Sequence, residues 1–178
     1  NYFLQLLHNK ITVLEPQKKN PNLAVIILNW NGWRDTIECL ESLNKSTYKD
    51  FTFIVIDNGS SDSSIEKIRK WAEGSRVTST SFGEHQIRTL RKIEIEQSQI
   101  PEKIEDTIDD GSDQQNFVII KNSMNLGFAG GNNVGIQYAL CKGYDKILLL
   151  NNDTTIAIDC LEILLHFLEK HMKYMVVT

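Results

Sequence analysis

Largely apolar runs alternate along the chain with segments in which apolar residues recur every three or four positions. The runs cover residues 23–28, 51–56, 117–120 and 147–150. Short runs of this kind are typical of strands covered on both faces, as in a parallel sheet. The intervening segments predict helices. The alternation of strand and helix therefore indicates an α/β fold with right-handed crossover connections.

Four helices are predicted after these strands. The first covers residues 34–45, and the second follows a helix cap expected from Ser60 or Ser61. The third begins inside a glycine-rich segment, and the fourth covers residues 158–170. A further strand is expected to start at residues 174–178.

Two segments depart from this alternation. Residues 1–22 are expected to be an N-terminal extension and linker, which leaves 23–178 as the domain. Residues 75–116 are polar and acidic, and we expect them to be an insertion or loop within that domain. The acidic run near their end lacks the spacing of an EF-hand loop, so it is interpreted as a solvated segment.

Composition narrows the classes of function. The 178 residues carry a net charge of −4, which gives no electrostatic case for nucleic-acid binding. Three cysteines without metal-type spacing predict reduced thiols and a reducing compartment. No apolar run reaches the length of about 18 residues that a membrane-spanning helix needs.

Polar side chains stand where the predicted strands end. The first strand ends at Asn29, the second at Asp57, and the last at Asn151-Asn152-Asp153. In open α/β sheets, ligands bind at the carboxyl ends of the strands. The Asp153 carboxylate beside amide oxygens suits Mg²⁺ or Mn²⁺ shared with the phosphates of a substrate. The alternative is a set of turns in which these side chains only cap the backbone.

A glycine-rich segment, Asn125–Gly135, follows the third of these strands and opens a helix. Glycines let a backbone approach a ligand closely, and a helix N-terminus favours a phosphate or a base. The segment has neither the Gly-Lys-Ser/Thr of a Walker loop nor the spacing of the dinucleotide-binding fingerprint.

Four motifs together resemble family 2 glycosyltransferases, most closely the bacterial rhamnosyltransferase-like branch. They are Leu23–Gly32, Val55–Asp62, Asn125–Asn133 and Leu150–Asp153, in that order. The resemblance implies a GT-A fold, a Rossmann-like and mostly parallel sheet flanked by helices. It also implies a nucleotide-diphosphate-sugar donor, a UDP- or dTDP-sugar.

The resemblance implies roles for particular residues. Asp57 corresponds to the family's acidic residue that accepts a hydrogen bond from a pyrimidine base. Asp153 is the last residue of the family's Asp-x-Asp motif and is the expected ligand of Mg²⁺ or Mn²⁺. The motif begins here with Asn151, and Asn152 stands where the branch often has proline. The full set of nucleotide-binding residues implied is Leu28, Asn29, Asn31, Asp57, Asn58, Gly127, Asn133 and Asn152.

The implied reaction is inverting, metal-assisted transfer of a sugar to a hydroxyl of a glycan or other acceptor, in polysaccharide biosynthesis. The cation neutralises the leaving diphosphate. The family's catalytic base comes later in the sequence, so it is expected beyond Thr178. We therefore expect a donor-binding half, incomplete at its C-terminal end and inactive alone. The implied location is cytoplasmic, with peripheral inner-membrane association through parts outside this chain.

Two alternatives stay open. A sugar-phosphate nucleotidyltransferase would carry a basic, glycine-rich loop after the first strand, where this chain has Asn29–Trp33. A non-catalytic nucleotide-binding domain is the other alternative, because Asn151 replaces an aspartate of the metal motif.

Overall fold

The computed structural model of the protein describes residues 23–74, 92–100 and 117–170. The strands are β1 (Leu23–Asn29), β2 (Phe51–Asp57), β3 (Lys92–Glu96), β4 (Phe117–Lys121) and β5 (Lys146–Asn151). The helices are α1 (Trp33–Asn44), α2 (Ser64–Ala72), α3 (Gly127–Cys141) and α4 (Cys160–Lys170). The expected extension over residues 1–22 and the expected strand over residues 174–178 lie outside the described residues.

The five strands form one parallel sheet in the order β3-β4-β2-β1-β5. Parallel neighbours require crossover connections, and α1, between β1 and β2, is one of them. This topology confirms the predicted α/β class with a mostly parallel sheet flanked by helices. Because all strands run the same way, their carboxyl ends meet at one edge of the sheet.

Alternate residues of the central strands build a core on each face of the sheet. On one face Leu23, Val25 and Ile27 of β1 pack in the same core as residues of α1, α2 and α4. On the other face Ala24 and Ile26 share a core with residues of α3. Side chains point to opposite faces with a period of two, so an unbroken apolar strand is buried on both sides.

The α3 helix lies very close to the sheet. A Cβ atom at Gly135 would come within 2.8 Å of Cγ2 of Ile26, so a side chain here would push the helix away. This close approach brings the start of α3 beside the carboxyl ends of β1 and β2.

The segment expected to be an insertion contributes a strand to the sheet. Within residues 75–116, β3 pairs with β4 and forms one edge of the described sheet. A bidentate ion pair anchors it to α2, because Arg69 Nε and Nη2 lie 2.5 and 2.7 Å from the carboxylate oxygens of Glu94. Residues 75–91 and 101–116 lie outside the described ranges.

The β5 strand is less covered than its apolar run predicts. Leu149 faces the same side as Ile26 of β1 but is 44% exposed. The reason is position in the sheet, since β5 is an edge strand of the described sheet and α3 packs mainly on β1 and β2. Across the described ranges, every helix is too short or too polar to serve as a membrane-spanning segment.

Candidate active site

The strand ends carry the polar side chains that the sequence pattern singled out. Asn29 of β1 is in register with Asp57 of β2, and Leu28 is in register with Asn151 of β5. Parallel pairing therefore brings three separate sequence motifs to one edge of the sheet. The start of α3 joins them from the side of β2.

A cavity of about 500 Å³ opens at this edge. Five of the predicted site residues line it, and they are Leu28, Asn58, Gly127, Asn152 and Asp153. Four further lining residues had not been assigned to the site, and they are Trp30, Asn125, Phe128 and Asn151. The other four predicted site residues, which are Asn29, Asn31, Asp57 and Asn133, are not among the lining residues.

Two aromatic side chains on the cavity wall were missed by the sequence analysis. Trp30 is 56% exposed and Phe128 is 64% exposed. Large aromatic residues at such exposure, next to a cavity, provide faces on which planar or apolar groups of a ligand can pack. The available signal was an aromatic residue in an otherwise polar strand exit for Trp30, and one in a glycine-rich segment for Phe128.

Asp57 lies behind the cavity wall. It is 2% exposed, and its two oxygens accept hydrogen bonds from Asn29 Nδ2 (2.8 Å) and from the Ser60 backbone N–H (3.1 Å). A carboxylate offers about four acceptor positions, so two hydrogen bonds leave capacity for another donor. The carboxylate is thus held in one orientation before any ligand arrives.

The Asn29 side chain is fully buried and connects the end of β1 to the end of β2 by hydrogen bonds. Its amide nitrogen donates to Asp57 Oδ1 (2.8 Å) and Ser60 Oγ (3.1 Å). Its oxygen accepts from the Gly32 backbone N–H (3.3 Å) and from the Thr36 hydroxyl (2.9 Å). An amide has two donor hydrogens and two acceptor lone pairs, and all of these are used. The side chain therefore fixes its neighbours and does not reach the cavity.

Asn31 ties the turn after β1 to the turn after β2. It adopts a positive φ of 53°, a conformation that asparagine tolerates better than most residues. Its oxygen accepts from the backbone N–H groups of Ser61 (2.8 Å) and Asp62 (3.3 Å), and its own N–H donates to Ser60 Oγ (3.0 Å).

The expected cap of α2 by Ser60 or Ser61 is wrong. The helix begins at Ser64, and the Asp62 carboxylate accepts from the Ser64 backbone N–H at 2.9 Å. The Ser60 hydroxyl is instead engaged by Asn29 and Asn31 of the preceding strand end. These partners are distant in sequence, so a local capping pattern could not reveal them.

Asn58 connects the end of β2 to the start of α3. Its amide nitrogen donates to Asn125 Oδ1 (2.9 Å) and to the Gly127 carbonyl (3.1 Å). Its oxygen accepts from Asn122 Nδ2 (3.0 Å) and from the Leu126 backbone N–H (3.0 Å). Asn58 therefore lines the cavity while using all its hydrogen-bonding capacity to hold the glycine-rich segment.

The glycine-rich segment presents its first residues to the cavity. Helix α3 begins at Gly127, whose N–H donates to Asn125 Oδ1 at 2.8 Å. Asn133 lies farther along α3, with its side chain exposed and away from the cavity lining. The segment thus reaches the cavity with Asn125, Gly127 and Phe128.

The metal motif offers one carboxylate. Asp153 is exposed and lines the cavity, and Asn152 donates through Nδ2 to the Thr36 hydroxyl (3.2 Å) and the Gly32 carbonyl (3.4 Å). Within the described ranges no three His, Cys, Asp or Glu side chains cluster as a metal site. One carboxylate fits Mg²⁺ or Mn²⁺ of the kind that takes its remaining ligands from phosphates and water.

Cys39 lies directly beneath the metal motif. Its sulfur is 3.7 Å from the Asn151 carbonyl oxygen. Burial, and next the negative charge of Asp153, raise the pKa of the Cys39 thiol from 9.0 to about 12. The thiol is neutral across the physiological range, so Cys39 serves as a packed core residue below the site.

Cys39 is expected to resist alkylation in the folded protein. At about pH 9 a thiol with this pKa is roughly 0.1% thiolate, and the thiolate is the reactive form. Iodoacetamide treatment followed by peptide mass spectrometry should modify the half-buried Cys160 first, and Cys39 only after denaturation. Equal rates for Cys39 and Cys160 in the folded protein would contradict this picture.

Comparison with family models matches the chain to Glycosyl transferase family 2 over residues 24–92 and 98–178. No curated protein matches the chain. The solved structure of S. aureus TarS in complex with UDP aligns at 18% identity and a TM-score of 0.55, over 84% of this chain and 32% of that chain.

Two more solved structures share the fold. TarS in complex with UDP-GlcNAc aligns at 17% identity and a TM-score of 0.54, over 84% of this chain and 32% of that chain. Mannosyltransferase PcManGT from Pyrobaculum calidifontis, in complex with GDP-Man and Mn²⁺, aligns at 16% identity and a TM-score of 0.55, over 93% and 39%. The chain spans well under half the length of these structures, and identities this low show the fold alone.

Proposed function

The chain belongs to glycosyl transferase family 2 and has the GT-A fold, and we propose that its cavity binds a nucleotide-diphosphate-sugar for glycosyl transfer. Solved structures of the same fold contain UDP, UDP-GlcNAc, or GDP-Man with Mn²⁺, which supports a ligand of this class. The proposed donor is a UDP- or dTDP-sugar.

The observation that carries this proposal is the charge pattern of the cavity. Asp153 stands on its wall, and no lysine or arginine is among the described residues that line it. A diphosphate needs a positive counter-charge in such a place. A divalent cation held by Asp153 and by the phosphate oxygens would supply that charge and stabilise the leaving diphosphate.

The apolar part of the cavity lining suits a nucleoside. Leu28 gives it an apolar side chain and Trp30 an aromatic face, which favour a planar base. Asp57, held by two donors just behind, keeps acceptor capacity for the N3–H of a pyrimidine. Because Asp57 is almost fully buried, this hydrogen bond would form away from bulk water, where its discrimination between bases is strongest.

The proposed reaction is an inverting transfer. A hydroxyl oxygen of the acceptor, a glycan in the proposed case, attacks the anomeric carbon as the bond from that carbon to the diphosphate oxygen breaks. The diphosphate leaves with the electron pair, and the hydroxyl proton passes to a general base. The chain's own proposed contribution is to bind and orient the donor, through the cavity walls at Leu28, Trp30 and Asp153.

Calorimetric titration of the chain with UDP, dTDP and GDP, each with and without Mn²⁺, tests the proposal. We expect UDP or dTDP to bind most tightly and Mn²⁺ to strengthen binding. UMP, which lacks the second phosphate, serves as the matched control and should show little response to Mn²⁺. Failure of the folded protein to bind any nucleoside diphosphate would overturn the proposal.

A further inference from the structure

The hydroxyl of Thr36 joins the metal motif, at Asn152, to Asn29 at the end of β1. Thr36 lies in the first turn of α1 and is fully buried. It does not line the cavity, so it makes no direct ligand contact there. We propose that Thr36 is a positioning residue that sets the orientation of Asn152, and through it the placement of Asp153 for a cation. The inference rests on the proposed function.

One hydroxyl meets groups from three elements. Thr36 Oγ1 lies 2.9 Å from Asn29 Oδ1 at the end of β1 and 3.0 Å from the Gly32 carbonyl. It also accepts a hydrogen bond from Asn152 Nδ2 at 3.2 Å, after the end of β5. A hydroxyl has one proton to donate and two lone pairs to accept with. When the Thr36 hydroxyl donates its proton to Asn29 Oδ1 or to the Gly32 carbonyl, a lone pair of its oxygen remains to accept from Asn152 Nδ2.

The contacts continue on both sides of Thr36. On one side, Asn29 donates a hydrogen bond to the Asp57 carboxylate. On the other side, Asn152 directly precedes Asp153 in the chain. Asn152 has one further contact at this point, a longer one of 3.4 Å to the Gly32 carbonyl. Asn152 is half-buried, and the fully buried Thr36 hydroxyl and the Gly32 carbonyl both accept from the same Nδ2, so these two acceptors favour one orientation of the Asn152 amide.

This arrangement predicts a specific effect on metal-dependent binding. Groups that orient a metal ligand from outside typically change metal affinity by about 10- to 100-fold when they are removed. Threonine and valine have nearly the same shape. Thr36→Val therefore removes the hydroxyl and leaves the packing of α1 in place, while Thr36→Ser keeps the hydroxyl and serves as the matched control.

The experiment is calorimetric titration of wild type, Thr36→Val and Thr36→Ser with UDP, with and without Mn²⁺, after urea unfolding has measured the stability of each. We expect Thr36→Val to reduce the enhancement of UDP binding by Mn²⁺ by about tenfold or more. Binding of UDP without Mn²⁺ should change far less. Thr36→Ser should restore the enhancement.

A second variant keeps the inference testable if Thr36→Val does not fold. A Cβ atom at Gly32 would lie 2.8 Å from Asn152 Nδ2, so Gly32→Ala displaces Asn152 without altering the buried hydroxyl. The backbone φ of Gly32 is −130°, a value that alanine adopts without strain. We expect Gly32→Ala to reduce the Mn²⁺ enhancement as Thr36→Val does.

The outcomes separate this inference from the proposed function. Wild-type enhancement by Mn²⁺ that survives in Thr36→Val or Gly32→Ala would overturn the role of Thr36 and leave the donor site standing. An enhancement lost equally in Thr36→Ser would also overturn it, because the hydroxyl would then not be the cause. No nucleotide binding by wild type would overturn both.

Discussion

Asp153→Asn is expected to lower the affinity for UDP in the presence of Mn²⁺ by about 100-fold or more, because loss of even an outer-shell partner costs about 10- to 100-fold and Asp153 is the proposed direct ligand. Asp153 is the carboxylate on the cavity wall, and the described lining residues include no cationic side chain that could replace a bound cation. A neutral amide oxygen binds a hard divalent ion more weakly than a carboxylate does, because it brings no charge. Calorimetry with and without Mn²⁺ measures the effect directly.

The matched control for this variant is Asp159→Asn. Asp159 is also exposed, lies just before α4 and is not among the cavity-lining residues. Asparagine there removes the same charge from the surface and should leave the Mn²⁺ enhancement unchanged. Equal losses in Asp153→Asn and Asp159→Asn would show a general effect of net charge and would argue against a metal site at Asp153.

Asp57→Asn is expected to destabilise the protein by about 3 kcal/mol. Hydrogen bonds to a buried charged group are lost, and the new amide N–H₂ of asparagine would point at one of the two N–H donors that Asp57 now accepts from. The Asp57 oxygens accept from Asn29 Nδ2 and from the Ser60 N–H. The amide of asparagine can satisfy only one of these partners. Urea unfolding followed by tryptophan fluorescence measures the loss of stability.

The same substitution is expected to weaken nucleotide binding by about tenfold or more under conditions where the variant remains folded. The charge-assisted acceptor is lost, and the single amide oxygen of asparagine would be shared between the base N3–H and the existing donors Asn29 Nδ2 and Ser60 N–H. Asp62→Asn is the control, because Asp62 is exposed in the same turn and accepts from the Ser64 N–H at the start of α2. An asparagine oxygen can accept the same hydrogen bond, so stability should stay within about 0.5 kcal/mol. Comparable destabilisation by both variants would refute the role given to the Asp57 contacts.

Several parts of the fold could be predicted from the sequence because their signal is local. The apolar runs predicted β1, β2, β4 and β5 within a residue or two of their observed bounds, and helical spacing did the same for α1. The order of four motifs at the strand exits predicted the family, which the family match confirms. The short strand β3 was not predicted as part of the sheet, because Ile93 and Ile95 lie in a mainly polar segment where the pattern fits a brief helix or a strand equally well.

The membership of the cavity was only partly accessible to sequence reasoning. Asp153 and Leu28 line the cavity, as expected for residues at the ends of parallel strands. Asn29 stands at such an end too, but its side chain points into the protein and is buried there. Successive residues of a strand point to opposite sides, and which side holds the ligand depends on the elements packed above it.

The sequence by itself determined the α/β class, the family and the edge of the sheet where the candidate site lies. These follow from apolar periodicity and from motifs a few residues long. The tertiary structure decided that Trp30 and Phe128 form cavity walls, that Asn58 holds the glycine-rich segment, and that Thr36 links Asn29 to Asn152. Asn152 is 116 residues from Thr36 in the chain. A side-chain hydrogen bond across that separation exists only once the sheet has brought β1 and β5 together, so no local pattern can encode it.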